Sequence, residues 1–161
     1  MAIYKVDGVD GTPHLPKKFV TLNTVIPTST TITKGEVMMI DTAVVTAGAG
    51  YNVVQGAGDD LALAIGVAAE TVVNSSASAT LATTVRVQVA GHNDDVTGDA
   101  AIAVGQLCGH DGVNPELCVH SDSTSDITTR PFALCVVAAT TTPTVNYTDL
   151  EILIYDHGFY G

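Results

Sequence analysis

Tryptophan is absent from this 161-residue chain, and aromatic residues of all kinds make up only 5% of it. Charge is scarce too, at 14% against roughly 25% in an average domain. Only six of the charged residues are Lys or Arg, so the chain has little with which to hold a phosphate backbone, and nucleic acid is not expected as a partner. No apolar run approaches the roughly 20 residues that span a bilayer as a helix, so no membrane partner is expected. The opening MAIYKVDGVDGTPHLPKKF has Lys and Asp where a secretory signal needs an unbroken apolar stretch, which points to synthesis and folding in a reducing cytoplasm. The three cysteines, Cys108, Cys118 and Cys135, have neither CxxC nor Cys/His ligand spacing, which argues against both a disulfide framework and a zinc site.

What is abundant is Ala, Val, Thr and Gly, in a chain 46% apolar overall and long enough for one domain with its own core. No stretch keeps apolar residues at helical spacing against a charged face, whereas strand patterns are frequent. GEVMMID (35–41), YNVVQ (51–55), LALAIGVAAETV (61–72), TVRVQVAG (84–91), GQLCGHD (105–111), LCVHS (117–121), PFALCVVAA (131–139) and LEILIYD (150–156) read as strands separated by turn chemistry such as GHNDD and GVNPE. In TVRVQV, Val85, Val87 and Val89 point one way, with Arg86 and Gln88 toward solvent. LEILIY is apolar on both faces except at Glu151, as a central or interface strand would be.

KGEVMMID (34–41) has an echo 70 residues later in VGQLCGHD (104–111), and IGVAAET (65–71) has one at the same offset in CVVAATT (135–141). Each half then closes with an alternating strand. The expectation is an all-β domain over 34–161 built from two similar halves, 34–91 and 104–157, that bury apolar faces against one another. Residues 1–33, with Pro13, Pro16 and Pro27, read as an extended arm, although KFVTLNTVI (18–26) also reads as an edge strand.

This order of motifs, from KGEVMMID through AIGVAAET, VRVQVAG, VGQLCGHD and FALCVVAAT to the apolar C-terminal strand, resembles the capsid decoration, or cement, proteins of tailed bacteriophages over residues 34–157. The resemblance implies a β-tulip or β-sandwich fold and a homotrimer on the outer surface of the virion, with the major capsid protein as partner. It implies a structural role with no catalytic residue, metal or cofactor. The longer leader and the segment PELCVHSDSTSDITTRP depart from simpler members. Under this reading Lys17 and Lys18 pair with acidic groups of the shell while Leu15, Phe19 and Val20 bury apolar area, and Phe159 and Tyr160 act as interface anchors.

The net charge of −11 is unevenly spread, with four of the six cations (Lys5, Lys17, Lys18, Lys34) in the first 34 residues and 15 of the 17 acids beyond them. The catalytic alternatives lack their signatures, because GxSxG, HExxH, GxxxxGK and a helix-leading GxGxxG are all missing. His92 with Asp94 and Asp95, His110 with Asp111, and His120 with Asp122 fall at strand ends and turns, where short polar residues serve turn formation. The acidic stretches DGVDG, GAGDD and SDSTSD lack EF-hand spacing. A carbohydrate- or cell-surface-binding sandwich is the alternative function, and the shortage of aromatic platforms counts against it.

Overall fold

The computed structural model describes residues 16–41, 52–56, 64–98, 102–110, 117–119, 131–138 and 150–155. Among them every regular element is a strand: β1 Lys18–Ile26, β2 Thr30–Ile32, β3 Val37–Ile40, β4 Asn52–Gln55, β5 Ala64–Ala68, β6 Val72–Asn74, β7 Leu81–Asn93, β8 Leu107–His110, β9 Leu117–Val119, β10 Ala133–Val137 and β11 Glu151–Ile154. The domain is all-β. Strand text found by period and turn chemistry falls on β3 to β5 and β7 to β11, while β2 and β6 pair as a separate two-stranded ladder.

Five strands close into a ring in the order β1, β4, β3, β5, β7 and back to β1. Every seam of that ring is antiparallel except the parallel β1–β4 seam, which is held by the pairs Asn23↔Asn52 and Thr24↔Val53. The barrel is filled by Ile26, Ile32, Met38, Val53, Ile65, Ala68, Val85, Val87 and Val89. At the short seam Thr24 is 2% exposed and its Oγ1 has no hydrogen-bond partner. A buried hydroxyl without a partner costs about 1–3 kcal/mol. Thr24→Val is therefore expected to leave the barrel intact and raise its stability by about 1 kcal/mol, read as a higher midpoint in urea unfolding; a lower midpoint would show that the hydroxyl is satisfied in solution.

Residues 18–26 thus form a strand of the barrel, the second of the two readings of KFVTLNTVI, and residues 30–32 pair with β6. The reason lies in alternation: Val20, Leu22, Thr24 and Ile26 point inward, and β1 is the strand that closes β7 onto β4. Residues 1–15, the rest of the expected arm, lie outside the described residues.

β7 is long enough to serve two sheets. Its first part pairs with β1 and its end, Gly91 to Asn93, pairs with β11, from which the second sheet continues through β10 and β8 to β9. At the crossing, Gly91 has φ 91°, and a Cβ there would lie 2.4 Å from the Pro16 carbonyl oxygen. Gln88 staples the same bend: its Nε2 donates to the carbonyls of Ala90 and His92, and its Oε1 accepts from Asn93 Nδ2. Gln88 is 2% exposed, so the solvent-facing position expected for it in TVRVQV is instead covered.

The two halves repeat one strand order, β4-β3-β5-β7 in the first and β9-β8-β10-β11 in the second. Their ladders match pair for pair. Met38↔Gln55 corresponds to Cys108↔Val119, Val37↔Val67 to Leu107↔Leu134, and Ala68↔Val87 to Cys135↔Ile152. By this register Ala68 answers to Cys135, so the match of IGVAAET with CVVAATT is out of step by three residues. Short runs of Ala, Val and Thr align in several registers, and only the hydrogen-bonded ladder picks one.

The motif that opens each half also has a local cause. Thr33–Glu36 and Ala103–Gln106 are turns with Gly at the third position, Gly35 at φ 97° and Gly105 at φ 87°, a conformation glycine reaches without strain. The fourth residue closes each turn through its backbone, and its side-chain oxygen accepts from the first residue's N–H, at 2.8 Å for Glu36 and 2.7 Å for Gln106. Gly then Glu or Gln is what that turn requires.

The packing of the halves is not face to face. A second core joins Val37, Met39, Ala64 and Val67, on the outside of the barrel, to Cys108, Leu117, Ala133, Cys135, Leu150, Ile152 and Ile154. The face of the second half that corresponds to the barrel interior lies on the exterior of the first. This is why β5 is buried throughout: one side fills the barrel and the other underlies the second sheet.

Candidate partner-binding surface

β1 places Phe19, Thr21, Asn23 and Val25 on the outside of the barrel. Its register with β7 sets Thr21 opposite Arg86, Asn23 opposite Thr84 and Val25 opposite Ala82, so two strands present one continuous exterior face. On it Phe19 is 41% exposed and the Arg86 guanidinium lies 5.0 Å from its ring centroid. Such a contact contributes about 0.5–1 kcal/mol at an exposed site and keeps both groups in place. The Arg86 backbone is fixed from the other side, its N–H donating to Glu70 Oε1 at 2.8 Å.

Beside this face Lys17 Nζ meets Asp94 Oδ1 at 2.9 Å, and Lys34 Nζ meets Asp95 Oδ2 at 2.7 Å. The Lys17 hydrogen bond holds the Asp94 carboxyl below the usual carboxylate range against a smaller opposing effect of burial. Exposed pairs of this kind add little to stability, but they decide which cations are already engaged.

The structure sorts the residues expected to meet a partner. Phe19 is exposed on the β1–β7 face. Lys18, half-buried at the start of β1, is engaged within the chain. Lys17 is committed to Asp94, and Val20 packs against the barrel core. Alternation turns Val20 inward, and the bend after β7 brings Asp94 to Lys17. Leu15, Phe159 and Tyr160 lie outside the described residues. Arg86 joins the face although sequence reasoning gave it no partner role. Strand alternation put it outward, but only the β1–β7 register brings it to Phe19.

The histidine clusters also resolve differently from their sequence neighbourhoods. His92 Nε2 lies 2.7 Å from Glu151 Oε2 on the adjacent strand, while Asp94 and Asp95 are taken by lysines. His110 is 2% exposed and lies against Gly56, where a Cβ would come within 2.2 Å of its ring. Asp111, His120 and Asp122 lie outside the described residues. Cys108 and Cys135 are buried as free thiols, and burial pushes the Cys135 thiol up. Among the described residues no group of three or more His, Cys, Asp or Glu side chains is placed to hold a metal ion. No protein-family model, curated protein or solved structure matches this chain.

Proposed function

We propose that this chain is a structural virion protein that decorates the outer surface of a tailed-bacteriophage capsid and bridges major capsid subunits. The observation that carries the reading is the β1–β7 face. An aromatic ring and a guanidinium, the side-chain types most often found as interface anchors, are held together on a rigid ladder of an otherwise acidic chain. The order of motifs that resembles decoration proteins supports it from the sequence side. The mechanism is mechanical: several copies around one lattice position each add a modest contact, and linked contacts multiply into binding far tighter than any one of them. No bond is made or broken.

The test is co-sedimentation with capsids that lack the protein. Wild-type chain is expected to pellet with them, and the double variant Phe19→Ala/Arg86→Ala to bind at least about tenfold more weakly while keeping its circular dichroism. Undiminished binding by that variant removes the face from the reading, and retention on immobilised glycans by the isolated protein would favour the carbohydrate-binding alternative. A truncation that probes the leader must stop at residue 15, because removal of 1–33 takes β1 and β2 away and opens the barrel.

A further inference from the structure

The parallel β1–β4 seam runs for only two pairs, Asn23↔Asn52 and Thr24↔Val53, and both strands continue past it. Beyond that point different neighbours hold the two ends. β1 stays on β7 through Val25↔Ala82 and Ile26↔Leu81, and Asn74 Nδ2 of β6 donates to the carbonyls of Ile26 at 3.1 Å and Pro27 at 2.9 Å. β4 stays on β3 through Val54↔Met39 and Gln55↔Met38, and Gln55 Nε2 donates to the Thr31 carbonyl of β2 at 2.7 Å and to Glu36 Oε2 at 2.6 Å. The ends cannot zip together without giving up those bonds, and a cavity of about 310 Å³ stays open between them.

Val25, Ile26, Pro27, Ile32 and Val54 make its walls apolar, and Thr24 and Gln55 are its polar members. Gln55 stands two residues beyond Val53, the partner of Thr24, so the two polar side chains share one face of the seam. Thr24 is buried, and among the described residues nothing partners its hydroxyl. That orphan lowers the stability of the free protein, and its place in a cavity wall gives it a use: a partner from outside the chain. The Gln55 amide is oriented by the two acceptors in front of Nε2, and no described residue donates to its Oε1. Among the described residues no charged side chain lines the cavity, and the Glu36 carboxylate stands behind Gln55. An anion placed here would lose its water and meet no cation.

We propose that the cavity between the ends of β1 and β4 is a binding site for a small, neutral, largely apolar molecule that carries one hydroxyl, an alcohol or a phenol. The ligand hydroxyl accepts from the Thr24 hydroxyl and donates to Gln55 Oε1, while its body lies against the five apolar side chains. A sugar does not suit the site, because most of its hydroxyls would face those walls unpaired. Size follows from volume: a cavity of about 150 Å³ takes benzene, so one about twice as large takes a molecule of two fused rings. One hydrogen-bonded head on a body of that size gives a dissociation constant on the order of 100 µM.

The experiment is a nitrogen–proton correlation NMR titration of the full chain with 2-naphthol, run beside naphthalene, which lacks the hydroxyl, and 2-naphthoate, which carries a charge in its place. With 2-naphthol, saturable shifts are expected at the amides of Thr24, Val25, Ile26, Val54 and Gln55. Naphthalene is expected to bind about fivefold more weakly, the worth of one hydrogen bond, and 2-naphthoate to give no saturable shift. Thr24→Val is expected to weaken 2-naphthol about fivefold and leave naphthalene unchanged; the same variant raises the urea midpoint, so lost binding is not lost folding. Val25→Phe, a strand-forming residue at the exposed rim, is expected to close the mouth to both naphthol and naphthalene, and it decides the matter should Thr24→Val not fold. The proposal is overturned by the absence of saturable shifts at these amides, by equal affinity for 2-naphthol and naphthalene, by tighter binding of 2-naphthoate, or by either variant binding 2-naphthol as wild type does. Capsid binding through the β1–β7 face does not enter this measurement, so either reading can fail alone.

Discussion

Val37→Glu is expected to abolish folding, while Leu107→Glu, the same change at the same motif position 70 residues on, is expected to leave a folded domain. Val37 is fully buried between barrel and second sheet, in a core whose described members are apolar side chains. Its replacement loses about 1.5–3 kcal/mol of apolar burial and adds several kcal/mol for an unpaired charge or for its forced protonation. A domain with about 5–15 kcal/mol to lose does not survive the larger part of that range. At Leu107, which is 41% exposed, the new carboxylate reaches water, and the change falls within the roughly 1 kcal/mol span of strand preferences. Thermal unfolding followed by circular dichroism reads both. A Val37→Glu protein that melts cooperatively near the wild-type temperature would show that the second sheet does not pack on β3.

Gly35→Ala and Gly105→Ala form a second contrast. Both glycines sit at positive φ in equivalent turns, so an alanine at either meets a backbone cost of about 1–2 kcal/mol. The surroundings differ. A Cβ on Gly105 has nothing within 4 Å, whereas one on Gly35 would stand 2.2 Å from the Asp95 carbonyl oxygen, a backbone atom that cannot swing aside. Moving that segment also disturbs the Thr97 N–H bond to the Gly35 carbonyl. Adding about 1–3 kcal/mol for overpacking, Gly35→Ala is expected to lose about 2–5 kcal/mol, and Gly105→Ala about 1–2 kcal/mol, in equilibrium urea unfolding. Equal losses would mean that the first turn is not pressed against the Asp95 segment.

These contrasts mark what could be read without coordinates. Alternation in TVRVQV placed Val85, Val87 and Val89 in the core, because period two on a pleated strand leaves no other arrangement. LEILIY reads as central, and β11 lies between β7 and β10. The Gly-Glu and Gly-Gln motifs could be seen to be related because each is a local device, a turn closed by its own fourth residue. KFVTLNTVI was ambiguous for a physical reason: its alternation is that of a strand, but its mixture of Thr, Asn and Val suits an arm as well, and nothing local says that a partner strand waits on both sides. The Phe19–Arg86 contact joins residues 67 positions apart by the β1–β7 register, and His92–Glu151 likewise depends on pairing across β7 and β11.

The amino-acid sequence by itself determined the strand class, the positions of most strands, the turn that starts each half and the acidic character of the surface, since all of these follow from composition and from contacts within a few residues. Tertiary structure alone decided that β1 closes a barrel, that Gln88 is covered, that the halves stack with one inner-type face on one outer face, and that Leu107 is exposed where Val37 is buried. The reason is that burial belongs to a position in the assembled layers and not to a motif: the same turn and strand, written twice, meet a second sheet in one place and water in the other.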